Sequence, residues 1–183
     1  MKYTAFNIGP IVKTLELARK PRELWAASFI FSQLMKHIYA EVENINKTII
    51  SPSKPTAEKL GVGIYPDRIF VKGEIDAPAV INRALSKFED ELKKTCYDID
   101  TNSLERYINV MATSIEAKTD TEAIDCLNKR LDIMELCQYA NDGDTQDAIY
   151  NILHNHNEHL MSIAGADKSM FWNDLEDIAK TNQ

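Results

Sequence analysis

The sequence predicts an α+β fold: a domain over residues 1–98 in the order β-α-α-β-β-α, then an all-α helical subdomain over residues 99–183. Three observations carry this expectation. Stretches of β-forming residues occur only in the first half. Between them, apolar residues recur at helical spacing and are bounded by Pro and Gly. Past Asp100 every apolar stripe reads with a period near 3.6. The first half is expected as one small sheet with its helices on one face.

The elements follow in order. "KYTAFNI", residues 2–8, alternates and is rich in β-formers, so it predicts the first strand. Gly9-Pro10 ends it, and Ile11, Leu15 and Ala18 mark a short helix that stops before Pro21, because the residue ahead of a proline disfavours the α region. A second helix runs from near Arg22 to Asn44. Its apolar residues, from Leu24 and Trp25 to Ile38 and Tyr39, cover more than one face, which predicts deep packing. "KTIISPS" predicts a second strand and "KPTAEKLGVG" a loop. "DRIFVKGE" predicts a further strand, with Ile69 and Val71 on one face and Phe70 on the other. A third helix begins at Pro78, with Val80, Ile81, Leu85, Phe88 and Leu92 as its stripe and Lys93-Lys94 in its last turn, where cations suit the dipole.

Four helices are expected beyond it: "NSLERYINVMATSIEA", "TDTEAIDCLNKRLDIMELCQYA" with the capping box Thr119-x-x-Glu122, "DGDTQDAIYNILHNHNEHLMSIA" and "DKSMFWNDLEDIAK". "NDGD", Asn141 to Asp144, reads as a turn between two of them.

Charge is divided along the chain. Residues 1–95 carry 15 Lys and Arg against 11 Asp and Glu, whereas residues 96–183 carry 6 against 17. The second half is a poor partner for phosphate backbones. The three cysteines, Cys96, Cys126 and Cys137, form no C-x-x-C and no disulfide framework, and read as buried or half-buried thiols of a reducing compartment. No apolar run is long enough to span a bilayer, and the N-terminus lacks a signal-peptide core. The expected location is cytoplasmic, with no membrane partner.

The basic segment "ARKPR" sets the functional question. Arg19, Lys20 and Arg22 crowd a joint between two helices. Arginine forks match phosphate oxygens, and the start of the first helix at Gly9-Pro10 offers free backbone N–H groups. Ile8, Gly9, Pro10, Arg19, Arg22 and Ser28 are therefore the candidate nucleotide-binding residues. The alternative is that the cations are solvated, cap a helix end, or pair with carboxylates such as Glu23 and Asp67. Catalytic and metal-ligating residues are expected to be absent. His154, Glu158, His156 and His159 cannot all turn to one point on one helix and read as solvated surface. His37 reads as a satisfied boundary histidine, and no nucleophile-base pair or P-loop occurs.

Two blocks carry a resemblance. The run Ile8-Gly9-Pro10, then Ala18-Arg19, then Arg22-Glu23-Leu24-Trp25-Ala26-Ala27-Ser28 resembles the opening palm domain of the large subunit of type III-B CRISPR effector complexes (Cmr-type). "GIYPDRIFV", residues 63–71, is similar to the family's P-N-R-F segment. The resemblance covers roughly residues 3–95. It implies a ferredoxin-like, GGDEF-like palm that binds ATP. It also implies a partner palm whose G-G-D-D turn holds Mg²⁺, the pair making cyclic oligonucleotides within a complex of other effector subunits and guide RNA. This chain has no G-G-D-D and no His-Asp nuclease motif. The resemblance therefore implies a palm that is silent alone and takes Mg²⁺ only with a second palm. In it, Trp25 anchors the second helix against the sheet. A fragment, a split gene product and a diverged relative are the readings its length leaves. The other class of function is a non-catalytic adaptor that docks partner subunits through its acidic helices.

Overall fold

A computed structural model describes residues 1–54, 63–96, 99–136 and 143–163. It is mixed α/β, and among the described residues it holds one four-stranded antiparallel sheet and seven helices.

Strand β1 (Lys2–Gly9) is buried from Tyr3 to Gly9 and lies inside the sheet. Helix α1 (Ile11–Glu16) is short, and α2 (Pro21–Asn44) is the longest element. Strands β2 (Thr48–Ser51) and β3 (Arg68–Lys72) precede α3 (Ala77–Thr95). Pro10 sits at the N-cap of α1, one residue before its first turn, and Pro21 at the first position of α2, where a missing N–H leaves nothing unpaired. Asp76 caps α3 by accepting from the Ala79 N–H.

The helical half departs from expectation. The stretch expected as one helix from Asn102 to Ala117 divides into α4 (Thr101–Tyr107) and β4 (Asn109–Glu116). Residues 99–183 are thus not all-α. β4 pairs antiparallel with β1 along its whole length, from Lys2 opposite Glu116 to Gly9 opposite Asn109. The spatial order is β2-β3-β1-β4. The reason is an unfilled edge. β1 is buried and hydrogen-bonds β3 on one side only, so its other row of N–H and C=O groups needs a strand. Helical spacing and strand alternation coexist in "YINVMATSIE", and the demand of β1 decides between them.

Helix α5 (Asp120–Leu136) corrects a second expectation, helices on one face of the sheet only. Phe6, Ile8, Ile69 and Val71 face the main core, with Phe29, Ile30, Leu34 and Ile38 of α2 and Phe88 and Leu92 of α3. Tyr3, Ala5 and Phe70 point the other way and pack on Ala123, Leu127 and Leu131 of α5. Phe70 was expected on the opposite face from Ile69 and Val71, and α5 is what covers it. The expected capping box is half formed at its start. Thr119 Oγ1 accepts from the Glu122 N–H, while Glu122 reaches past it to the Lys118 N–H.

The stretch expected as one helix from Asp142 to Ala164 divides at His156 into α6 (Gly143–Asn155) and α7 (Asn157–Ile163). Asn157 donates to the carbonyls of Leu153 and His154 and so terminates α6. Ile149, Ile152, Leu153 and Leu160 join the main core. The last expected helix, residues 167–180, and Asn141-Asp142 of the expected turn lie outside the described residues. No described helix is long and apolar enough to cross a membrane.

Candidate functional site

The C-terminal end of β1 is the accessible corner of the sheet. The Ile8 N–H donates to the Asp67 carbonyl just ahead of β3, which brings the β2–β3 connection against the Gly9-Pro10 turn. The Gly9–Pro10 peptide bond is cis. Thr14 fixes the turn from the helix side. Its hydroxyl donates to the Pro10 carbonyl and meets the Tyr107 hydroxyl of α4 at 2.9 Å.

Two cavities meet here. The larger, about 630 Å³, is lined by Ile8, Gly9, Pro10, Lys13, Asp67 and Glu135 among others. The smaller, about 270 Å³, lies between α1, α2 and the segment before β3, against Ile8, Ser28, Phe31, Ser32, Tyr65 and Asp67. Ile8, Ile11 and Asp67 belong to both. Tyr65 is held in place by its N–H on the Ser32 hydroxyl and by an edge contact with Tyr39. The structure thus brings together four of the expected binding residues, Ile8, Gly9, Pro10 and Ser28.

Arg19 and Arg22 lie elsewhere and line neither cavity. The Arg19 guanidinium stands 5.8 Å over the Tyr150 ring of α6, and Arg22 pairs with Glu158 of α7 at 3.3 Å. Between them Glu23 is 2% exposed. Its carboxylate accepts from the backbone N–H groups of Arg19 and Lys20, at 2.7 and 3.1 Å, and meets His154 Nδ1 at 3.1 Å. Burial pushes this carboxyl up, but the two N–H donors and His154 outweigh it and hold it below its ordinary value. The expected pairing of these arginine side chains with Glu23 or Asp67 is not what forms: Arg22 pairs with Glu158, and Glu23 binds the backbone N–H groups of Arg19 and Lys20 instead. Trp25 is half-buried and stacks on Phe29 at 4.9 Å.

The far face of the sheet carries a polar cluster that sequence reasoning missed. Asn7 is fully buried and donates to Glu135. Arg68, opposite Asn7 in register, pairs with Asp132 at 2.8 Å and Glu135 at 3.2 Å and bonds Asn128. These ties bring the end of α5 to the corner, where Glu135 joins Glu16 and Asp67 on the larger cavity. The only available signal was the carboxylate spacing of Asp132 and Glu135 on one helix face.

The histidines are not solvated surface. His156 is 5% exposed, and the His154 ring lies 3.8 Å from the Tyr150 ring, tilted to it by 44°. His37 bonds Glu91 at 2.7 Å, as a boundary histidine should. Cys96 is buried and its thiol is pushed up to about 11, which makes it inert, whereas Cys126 is exposed. Cys137 lies outside the described residues. Among the described residues no three Asp, Glu, His or Cys side chains converge in a way that could hold a metal ion.

Residues 3–99 match the family model described as CRISPR-associated protein Cmr2, N-terminal, which puts the chain among the components of CRISPR effector complexes. The match spans more than half of the chain, and the chain belongs to this family, the N-terminal region of the large subunit of type III-B CRISPR complexes. No curated protein matches it.

Proposed function

We propose that the chain supplies one palm of a nucleotide-binding pair in the type III-B large subunit, with ATP as ligand and a second palm as the source of the metal-binding carboxylates. The sheet supports the palm reading. With β3 antiparallel to both β1 and β2, and β1 antiparallel to β4, the strands form two interleaved β-α-β units in the spatial order of a ferredoxin-like fold. In this reading a ligand reaches the end of the central strand through the cavity that Ile8, Gly9 and Pro10 line.

The single observation that carries the reading is the pair of neighbouring cavities that share Ile8, Ile11 and Asp67. Their volumes suit a nucleotide. The smaller one, walled by Phe31 and Tyr65 with the Ser28 hydroxyl, takes a flat base. The larger one offers Lys13 to the phosphates. Glu16, Asp67 and Glu135 line the same cavity, so one ammonium cannot balance a triphosphate. That imbalance fits a site whose remaining positive charge arrives with the partner palm. Synthesis of cyclic oligonucleotides and contact with guide RNA belong to the completed complex in this reading.

Arg19 and Arg22 favour a second reading, an adaptor, because both face α6 and α7 instead of the cavities. One titration separates the two. ATP with Mg²⁺ is added to the full chain while its backbone amide NMR signals are followed. The palm reading expects saturable shifts at Gly9, Lys13 and Ser28 at millimolar ATP. It also expects a loss of affinity of about five- to tenfold in Lys13→Ala, the range for one charge-assisted contact. Unchanged amides at those positions would leave the adaptor. Equal affinity in Arg22→Ala would assign Arg22 to holding α7.

A further inference from the structure

We propose that Asp67 reads the sugar of the bound nucleotide, accepting hydrogen bonds from the ribose 2′- and 3′-hydroxyls and so selecting ribonucleotides over 2′-deoxyribonucleotides. This rests on the nucleotide reading above and adds a specificity-determining residue to it.

Position is the first support. Asp67 lines both cavities, so a nucleotide with its base in the smaller and its phosphates in the larger passes Asp67 at the sugar. The second support is that its carboxylate is uncommitted. The Asp67 backbone is pinned, because its carbonyl accepts from the Ile8 N–H at 3.2 Å. Its side chain is exposed and takes part in none of the ion pairs or side-chain hydrogen bonds among the described residues. Its neighbour Arg68 is spent on Asp132, Glu135 and Asn128. Of the other carboxylates on the larger cavity, Glu135 already accepts from Asn7 and Arg68, and Glu16 does not line the smaller cavity as Asp67 does.

Chemistry supplies the third support. An ionised carboxylate only accepts hydrogen bonds. A phosphate offers no donor and is repelled, so the phosphates run toward Lys13. Among the parts of a nucleotide that remain, the two adjacent sugar hydroxyls are donors that a single carboxylate spans. A site that bonds a hydroxyl discriminates against the ligand that lacks it, and the margin is modest at Asp67, where the exposed carboxylate takes water in place of a missing hydroxyl.

The test compares ATP with 2′-deoxy-ATP on the full chain by the same amide titration, in the wild type and in Asp67→Ala. Asp67 is exposed, and the dispersion of the spectra reports that the variant is folded. The wild type is expected to prefer ATP by about three- to tenfold, the factor for the net gain of one solvent-exposed hydrogen bond. In Asp67→Ala, ATP affinity should fall to that of the deoxynucleotide and the preference should vanish. Equal affinities in the wild type, or a preference that survives in Asp67→Ala, would overturn the role of Asp67 while saturable shifts at Gly9 and Ser28 leave the nucleotide reading standing. Absence of saturable shifts with either nucleotide would overturn both.

Discussion

Replacing Glu23 with Ala is expected to destabilise the chain by about 3 kcal/mol, the range for removing one partner of a buried, hydrogen-bonded charge pair. Glu23 is 2% exposed and does three things at once. It satisfies the N–H groups of Arg19 and Lys20 at the entry of α2, it pairs with His154, and through His154 it holds α6. Loss of the carboxylate leaves backbone donors and an imidazole facing a void. Glu23→Gln keeps one acceptor and the volume, and should lose about half as much. Urea midpoints of the two variants check the order. Equal midpoints for Ala and wild type would mean that α6 and α7 do not depend on this joint.

The same carboxylate sets an acid limb. Its folded value lies below its unfolded one of about 4.3. Its contribution is therefore complete at pH well above that value and fades as pH falls through the lower folded value. Glu41 behaves alike. Lys87 and Arg83 of α3 grip its 3%-exposed carboxylate and hold it down. Stability should fall from neutral pH toward about pH 3, and Glu23→Gln should flatten part of that fall. Midpoints measured across the range report it; an unchanged slope in the variant would show that Glu23 adds nothing to the acid limb.

Local signals account for what was legible in the sequence. Pro10, Pro21 and Pro78 mark helix starts through backbone chemistry that acts within a few residues, and α1, α2 and α3 stand close to where those residues place them. β4 was illegible because its cause is remote. Leu104, Tyr107, Ile108, Met111 and Ile115 follow a helical repeat as well as any helix in the chain, and only the unpaired edge of β1, a hundred residues earlier, turns the second half of the run into strand. The corner was legible at Ile8, Gly9, Pro10 and Ser28, since a Gly-Pro break after a strand marks an open strand end. The arginines misled because cation clustering says nothing about direction. Their partners, Tyr150 and Glu158, sit on helices whose docking depends on long-range packing. Glu135 reaches the corner for the same kind of reason.

A chain cut after residue 98 is expected not to fold, although it retains nearly all of the family match. Two losses coincide in it. β1 loses β4 and with it every backbone pairing from Lys2 to Gly9 on that edge, and an unpaired buried edge costs free energy at each group. The main core loses Leu104, Tyr107, Ile108, Ile149, Ile152 and Leu160, each at most 5% exposed. At roughly 1.5–3 kcal/mol per buried side chain, that removes on the order of 10 kcal/mol, about the whole net stability of an ordinary domain. Thr14 also loses Tyr107, its partner beside the Gly9-Pro10 turn, so the corner would be disordered first. Far-UV circular dichroism and amide dispersion of the 1–98 chain decide the matter. A cooperative, dispersed spectrum would mean that the pairing of β1 with β4 adds little to the fold. A collapsed spectrum would mean that the sheet and its core are completed by residues beyond the matched segment, and that any site at the Gly9-Pro10 corner requires them too.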